Sequence, residues 1–184
     1  MSMFDTKIEY DPATLWIYDQ KKEEQREEIS LLAYKKKDRK ILAIGNEAVS
    51  YQYKRDDDIV VMSPFKEGRV ADFEIAVAMI KEMLGKTWKP TFHQRVKIAL
   101  CIPKGATSVE KRAYSDMLYQ AGARENLLVE TCYGEMKSQL SSDFRFLIAI
   151  EPKIKRVYDE KEVWKAVEPY KIPKGKYQFM EMTP

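Results

Sequence analysis

Few side chains in this chain can do chemistry, and their spacing restricts them further. His93 is the only histidine, so a triad or metal site built on several imidazoles is excluded. Cys101 and Cys132 are the only cysteines. They make no disulfide framework, so a reducing cytoplasm is the expected setting. Cys132 could be imagined as a nucleophile, but no histidine lies near it in sequence to activate the thiol. A bland, half-buried sulfur is the plainer reading. Asp56, Asp57 and Asp58 are adjacent carboxylates that repel one another, with Lys54 and Arg55 beside them. That pattern reads as a solvated loop, and no metal site is expected. Trp88, Lys89 and Phe92 set aromatics beside a cation in a stretch without a periodic partner, which suits contact with a lipid interface. The alternative is that Trp88 and Phe92 fold back onto the core. In the Lys-rich tail Lys171–Pro184, the residues Tyr177, Phe179 and Met180 suit either an extended cover over an apolar face or a strand added to a partner's sheet.

Apolar periodicity outlines the elements that must hold these residues. Asp72 is a good N-cap for a helix over Phe73–Leu84, and Gly85 can take a left-handed position after it. Apolar residues cover more than one stripe of that helix, which predicts burial on much of its surface. Arg95–Pro103 follows as a nearly unbroken apolar run, the pattern of a parallel strand covered on both faces. Thr107 and Glu110 form a capping box for a helix running to Ala121 and stopped by Gly122. Leu127–Val129 begins the next strand, completing a right-handed crossover unit.

Upstream, Lys7–Asp11 and Thr14–Asp19 read as two short strands around the turn Asp11-Pro12-Ala13. Lys21–Glu28 (KKEEQREE) reads as a charged linker. Ile29–Tyr34 and Lys40–Ile44 form a hairpin, and Asn46–Tyr53 a short helix. Downstream come a short helix at Gly134–Leu140 and a buried strand at Phe144–Ile150. Asp159 and Glu162 cap a further helix ending near Pro169.

The chain has 184 residues, 45% apolar and 33% charged, enough for one domain with a real core. A net charge of +3 is too small to argue for a nucleic-acid partner. No apolar run reaches the roughly 20 residues needed to span a bilayer. The first residues include Asp5 and Lys7 and lack an apolar core, so no signal peptide is expected.

Three motifs carry a family resemblance: Pro64-Phe65-Lys66-Glu67-Gly68-Arg69-Val70-Ala71-Asp72-Phe73-Glu74, then Ile102-Pro103-Lys104-Gly105-Ala106-Thr107, then Ala121-Gly122-Ala123-Arg124-Glu125. In order and spacing they resemble the MreB proteins, the bacterial actins that determine rod shape, from about Ile29 to Glu130. The resemblance implies an α/β, actin-like (ribonuclease H-like) half, corresponding to subdomains IA and IB. Residues 1–184 would be one half domain. It would hold a mixed sheet of about five strands with helices on both faces, and a small β-rich lobe over Lys21–Val61.

The resemblance also points to what has changed. The family holds its nucleotide phosphates in a glycine-rich loop where this chain reads Tyr10-Asp11-Pro12-Ala13-Thr14-Leu15. That stretch has no glycine, and its proline lacks an amide. Asp11 is either a relic of the family's metal-side aspartate or an ordinary turn residue. Thr131 stands where the family has its water-positioning carboxylate, and a hydroxyl is a poor base near neutral pH. After Ile150 the second phosphate loop is not found, so the second half and its adenosine pocket are expected to be absent.

No catalytic residue, cofactor or ATPase activity is therefore expected. The expectation is a pseudo-ATPase that binds a protein partner, a bacterial actin filament or a morphogenetic complex. It would be cytoplasmic, with peripheral contact at the inner membrane face. Two other readings stay open: a nucleotide-binding protein that completes its cleft as a homodimer, and a peptide or small-molecule module with no cytoskeletal role.

Overall fold

The computed structural model describes residues 9–88, 95–130 and 133–156. Its framework is a five-stranded sheet in the order β2-β1-β10-β8-β9. Here β1 is Glu9–Asp19, β2 Glu24–Ile29, β8 Val96–Cys101, β9 Ala123–Val129 and β10 Phe144–Arg156. The middle strand, β10, lies antiparallel to β1 and parallel to β8. β2 is antiparallel to β1, and β9 parallel to β8. The sheet is mixed, as expected.

One face of the sheet carries the main core. Leu15 and Ile17 of β1, Ile98 and Leu100 of β8, and Phe146 and Ile148 of β10 are all buried there. They meet Met79, Ile80 and Met83 of α1 (Phe73–Gly85) and Tyr114, Met117 and Leu118 of α2 (Ser108–Gln120). Each such side chain contributes roughly 1.5–3 kcal/mol by leaving water. On the other face α3 (Tyr133–Gln139) sets Met136 against Ala99 and Leu147. Helices thus cover both faces.

Both long helices start where local chemistry dictates. The Asp72 carboxylate accepts from the Ile75 amide at 3.1 Å. At α2, Thr107 Oγ1 accepts from the Glu110 amide while the Glu110 carboxylate accepts from the Thr107 amide. Gly85 departs from expectation: it is the last residue of α1 and is followed by Lys86 in right-handed conformation. No left-handed residue is needed there, because Thr87 and Trp88 both donate their amides to the Leu84 carbonyl.

The small lobe is a three-stranded sheet in the order β4-β3-β5, from β3 (Leu32–Lys35), β4 (Ile41–Ile44) and β5 (Ile59–Met62). A 3-10 helix, Gly45–Tyr53, packs on it through Ala48. Gly45 has φ 63°, a left-handed conformation that favours glycine, and a Cβ there would also displace the Glu28 carboxylate. A two-residue turn at Glu67-Gly68, both at positive φ, joins β6 (Phe65–Lys66) to β7 (Arg69–Val70). The Tyr114 hydroxyl donates to the Gly68 carbonyl and holds this hairpin on α2.

Two expectations are corrected. Lys21–Glu28 is not a linker, because Glu24–Ile29 is the edge strand β2, paired with β1. The lobe is accordingly narrower than Lys21–Val61. Charged side chains suit an edge strand, where they face water and deter pairing with other chains. Nor is Asp11-Pro12-Ala13 a turn between two strands: β1 runs through it with a bulge between Asp11 and Thr14. A bulge tolerates the missing proline amide.

At the far end of β1 and β10, Asp19 is 3% exposed and faces Arg145. The guanidinium donates to both carboxylate oxygens, at 2.8 Å for the Nη2 contact. The Lys21 and Lys22 amides also donate to Asp19. Burial pushes the Asp19 carboxyl up, but the Arg145 and backbone hydrogen bonds together outweigh it and hold the group below its ordinary value. The stabilisation is complete above the ordinary aspartate value and is lost as pH falls through the lowered folded value. Asp19→Ala leaves the guanidinium uncompensated and is expected to cost about 3 kcal/mol, read as a lower urea midpoint. Asp19→Ala with Arg145→Met should recover much of that loss and show a shallower fall of stability in acid than the parent chain.

Candidate functional site

The carboxyl ends of the parallel strands β8, β9 and β10 gather at one end of the sheet, the usual place for a ligand in an open α/β sheet. The start of antiparallel β1 lies beside them. Asp11, Thr14, Trp16, Ile102–Thr107, Glu130 and Glu151 are therefore brought to one end by topology.

The groups gathered there are engaged with one another. Asp11 pairs in register with Lys153, Thr14 with Glu151, and Trp16 with Ala149. The Ser30 amide donates to the Ala13 carbonyl at 2.7 Å. Trp16 Nε1 donates to the Glu151 carboxylate at 2.9 Å. Glu130 is held by Lys111 Nζ at 2.8 Å. At the start of α2 the Thr107 and Glu110 side chains occupy each other's backbone amides. Glu110 also meets Arg69 at 2.8 Å. The Thr107 amide, first, holds the Glu110 carboxyl below its ordinary value; burial opposes it, and the Arg69 guanidinium adds to the lowering. Anion binding at a helix start needs inward-pointing amides, and the capping box takes up two of the local donors.

The residues singled out from sequence are distributed unevenly. Asp11 is a strand residue of β1, not a turn residue. Trp88 is 9% exposed and stacks obliquely on Phe146, with ring centroids 5.7 Å apart. The structure thus corrects the lipid-contact expectation for Trp88: its indole fills the core beyond the end of α1. Lys89, Phe92 and His93 lie outside the described residues, as do Thr131, Cys132, Tyr177, Phe179 and Met180. Asp56, Asp57 and Asp58 are exposed in the loop before β5, where the Asp58 amide donates to the Asp56 carboxylate. Among the described residues no group of three His, Cys, Asp or Glu side chains could hold a metal ion. Nor is any helix among them long and apolar enough to cross a membrane. Sequence reasoning missed the Trp16–Glu151 and Lys111–Glu130 contacts, because each joins residues distant in the chain.

Comparison with known proteins bears on this architecture. The family model described as MreB/Mbl protein matches residues 5–134. The chain belongs to the MreB/Mbl family. It is 32% identical over 126 residues to the cell shape-determining protein Mbl of Bacillus cereus, covering 68% of this chain and 38% of that protein. It is 34% identical over 91 residues to the cell shape-determining protein MreB of Haemophilus influenzae, covering 49% of this chain and 26% of the relative. The crystal structure of MreB 5 of Spiroplasma citri bound to AMPPNP superposes with a TM-score of 0.57 at 25% identity, covering 65% of this chain and 36% of that one. The fold is therefore actin-like, and the chain spans well under half the length of these MreB/Mbl relatives.

Trp88 gives a direct check on this placement. Trp88→Ala should leave a cavity against Phe146 and lower unfolding free energy by about 3 kcal/mol. Thermal and urea denaturation would measure it; an unchanged stability would return the indole to the surface.

Proposed function

We propose that this chain is a non-catalytic actin-type half. It acts as a binding or regulatory protein of the cell-shape cytoskeleton, on the cytoplasmic side of the membrane. The observation that carries the reading is the path of β1. Where the family resemblance calls for a phosphate loop, the backbone from Asp11 to Thr14 continues as a bulged strand laid on β10. A phosphate cradle needs a concave run of free amides. A proline and a paired strand provide neither.

The other contributors to a nucleotide site are similarly committed. The amides at the start of α2 serve the Thr107–Glu110 box, and Glu130 is paired with Lys111. The MreB 5 relative is bound to AMPPNP, but the aligned part of this chain corresponds to 36% of that structure. What this chain shares with its relatives is the scaffold built on α1, α2 and the crossover strands. A retained scaffold without a triphosphate grip suits recognition of a filament or its assembly machinery more than turnover of fuel.

Two measurements test the reading. Titration with ATP and magnesium should show no binding in the micromolar range; micromolar affinity would favour the nucleotide-binding homodimer instead. Co-sedimentation with filaments of a full-length MreB should carry this chain into the pellet. Absence of pelleting at every ratio would favour a binding module with no cytoskeletal role.

A further inference from the structure

The edges of the two larger sheets are not guarded alike. β2 presents Glu24, Arg26, Glu27 and Glu28, and β9 presents Arg124 and Glu125. β4 buries Ala43 and Ile44 and runs directly into the 3-10 helix. β5 differs from all three. Ile59, Val60, Val61 and Met62 carry no charge, and each is only partly buried. β3 lies on one side of β5, and no described strand lies on the other.

The ladder with β3 shows which backbone groups face that open side. Tyr34 pairs with Val60 and Leu32 with Met62. The Lys36 amide donates to the Asp58 carbonyl at 2.8 Å, which fixes the alternation. Val60 and Met62 therefore bond to β3, while Val61 directs its amide and carbonyl outward. Ile59 and Ser63, on either side of it, share that outward parity. The Ile59 amide is already taken by the Asp56 carbonyl at 3.1 Å, and the Ser63 amide meets no acceptor among the described residues. The open row is thus the Ile59 carbonyl, the Val61 amide and carbonyl, and the Ser63 amide. Each acceptor in it has a donor placed symmetrically about Val61. The row is closed at both ends, by the turn from Asp56 into Ile59 and by Pro64, where the chain bends toward β6.

We propose that β5 is a docking edge for β5 of a second copy, antiparallel about a two-fold axis at Val61. In that register the two Val61 residues exchange amide and carbonyl, and each Ser63 amide reaches the opposite Ile59 carbonyl. The closed Ile59 amide falls opposite the Ser63 carbonyl, so that one bond is forgone. Every group of the open row is then paired, and both copies use the same patch, as a two-fold contact requires. Val61 lies opposite Val61 and Val60 opposite Met62, so apolar side chains meet across the pair. Ile59 and Val61 already pack on the cluster around Ala48, which the pairing would extend from one copy into the other. No other described edge offers this match, because β2 and β9 would set charges against these side chains. The charges beside β5 do not select a partner of one sign. Asp56, Asp57 and Asp58 stand next to Lys54 and Arg55, and Lys35–Lys37 lie across the ladder. Antiparallel pairing sends the two copies of that mixed group to opposite ends, where parallel pairing would set like against like. The contact is short, so the expected dimer is weak and concentration-dependent.

Cysteine pairing on the full chain reads this register independently of any filament or nucleotide. Val61→Cys should cross-link two copies under mild oxidation, because opposite residues of a bonded pair stand about 5.5 Å apart, within disulfide reach. Val60→Cys alone and Met62→Cys alone should not cross-link, but the two variants mixed should join to each other. Mass spectrometry of the linked peptides identifies each product. In the parent chain the Val61 and Ser63 amides should exchange about tenfold more slowly in concentrated than in dilute protein. Val61→Pro should abolish that difference at Ser63 while the Val60 amide, which serves β3, stays protected and shows the lobe still folded. Free exchange of Val61 at every concentration would overturn the proposal. So would protection of Val61 in a chain that sediments as a monomer throughout, since the occupant would then come from within the chain. Cross-linking as strong for Val60→Cys alone as for Val61→Cys would also overturn it.

Discussion

The ladder between β1 and β10 is the contact on which the rest of the structure depends. β10 sits in the middle of the sheet, bonded to β1 on one side and to β8 on the other. Its inward side chains, Phe146, Ile148 and Ile150, lie in the core beneath α1 and α2. Its outward Leu147 meets α3. Remove that strand and β1–β2 would part from β8–β9, leaving neither with a complete apolar face. The same ladder holds Asp11–Thr14 in extended form, and at its other end the Asp19–Arg145 pair locks the register. The stability of the sheet and the extended path of Asp11–Thr14 thus have a common physical origin.

How much of this was legible in the sequence depends on whether the deciding interaction is local. The Thr107–Glu110 box, the Asp72 cap and the Lys35–Arg39 hairpin connection are set by residues a few positions apart, and the structure contains each. The apolar run at β8 was readable because a strand buried on both faces needs little else. Lys21–Glu28 was not, since a highly charged strand is stable only where an edge exposes it to water. Pro12 misled for a related reason: it signals a turn unless a partner strand accommodates a bulge. Gly85 and Trp88 show the same limit. Glycine could end a helix left-handed, but here the Leu84 carbonyl is satisfied by the next turn; an aromatic beside lysines could meet lipid, but Phe146 offered a closer apolar surface.

The candidate site was legible mainly as a departure. Chain order and motif spacing pointed to an actin-type scaffold, and the family match over residues 5–134 agrees. What the linear sequence did not reveal was the path of Asp11–Thr14 along β10. Lys153 opposite Asp11, and Glu151 opposite Thr14 and bonded to Trp16, come from far along the chain. The proline and the absent glycines are local features, but only the pairing with β10 shows that β1 continues through them as a bulged strand. A scaffold kept in this form is suited to present surfaces, which directs attention to its edges and its lobe.

The path of β1 is open to direct measurement by nuclear magnetic resonance. Cross-strand contacts between backbone protons of Thr14 and Glu151, Leu15 and Ile150, and Trp16 and Ala149 report the ladder itself. The account predicts that these contacts are present and that neither they nor the Asp11–Thr14 resonances change on adding ATP and magnesium. Loss of the contacts, with nucleotide-dependent shifts confined to Asp11–Thr14, would show a working phosphate loop and contradict it.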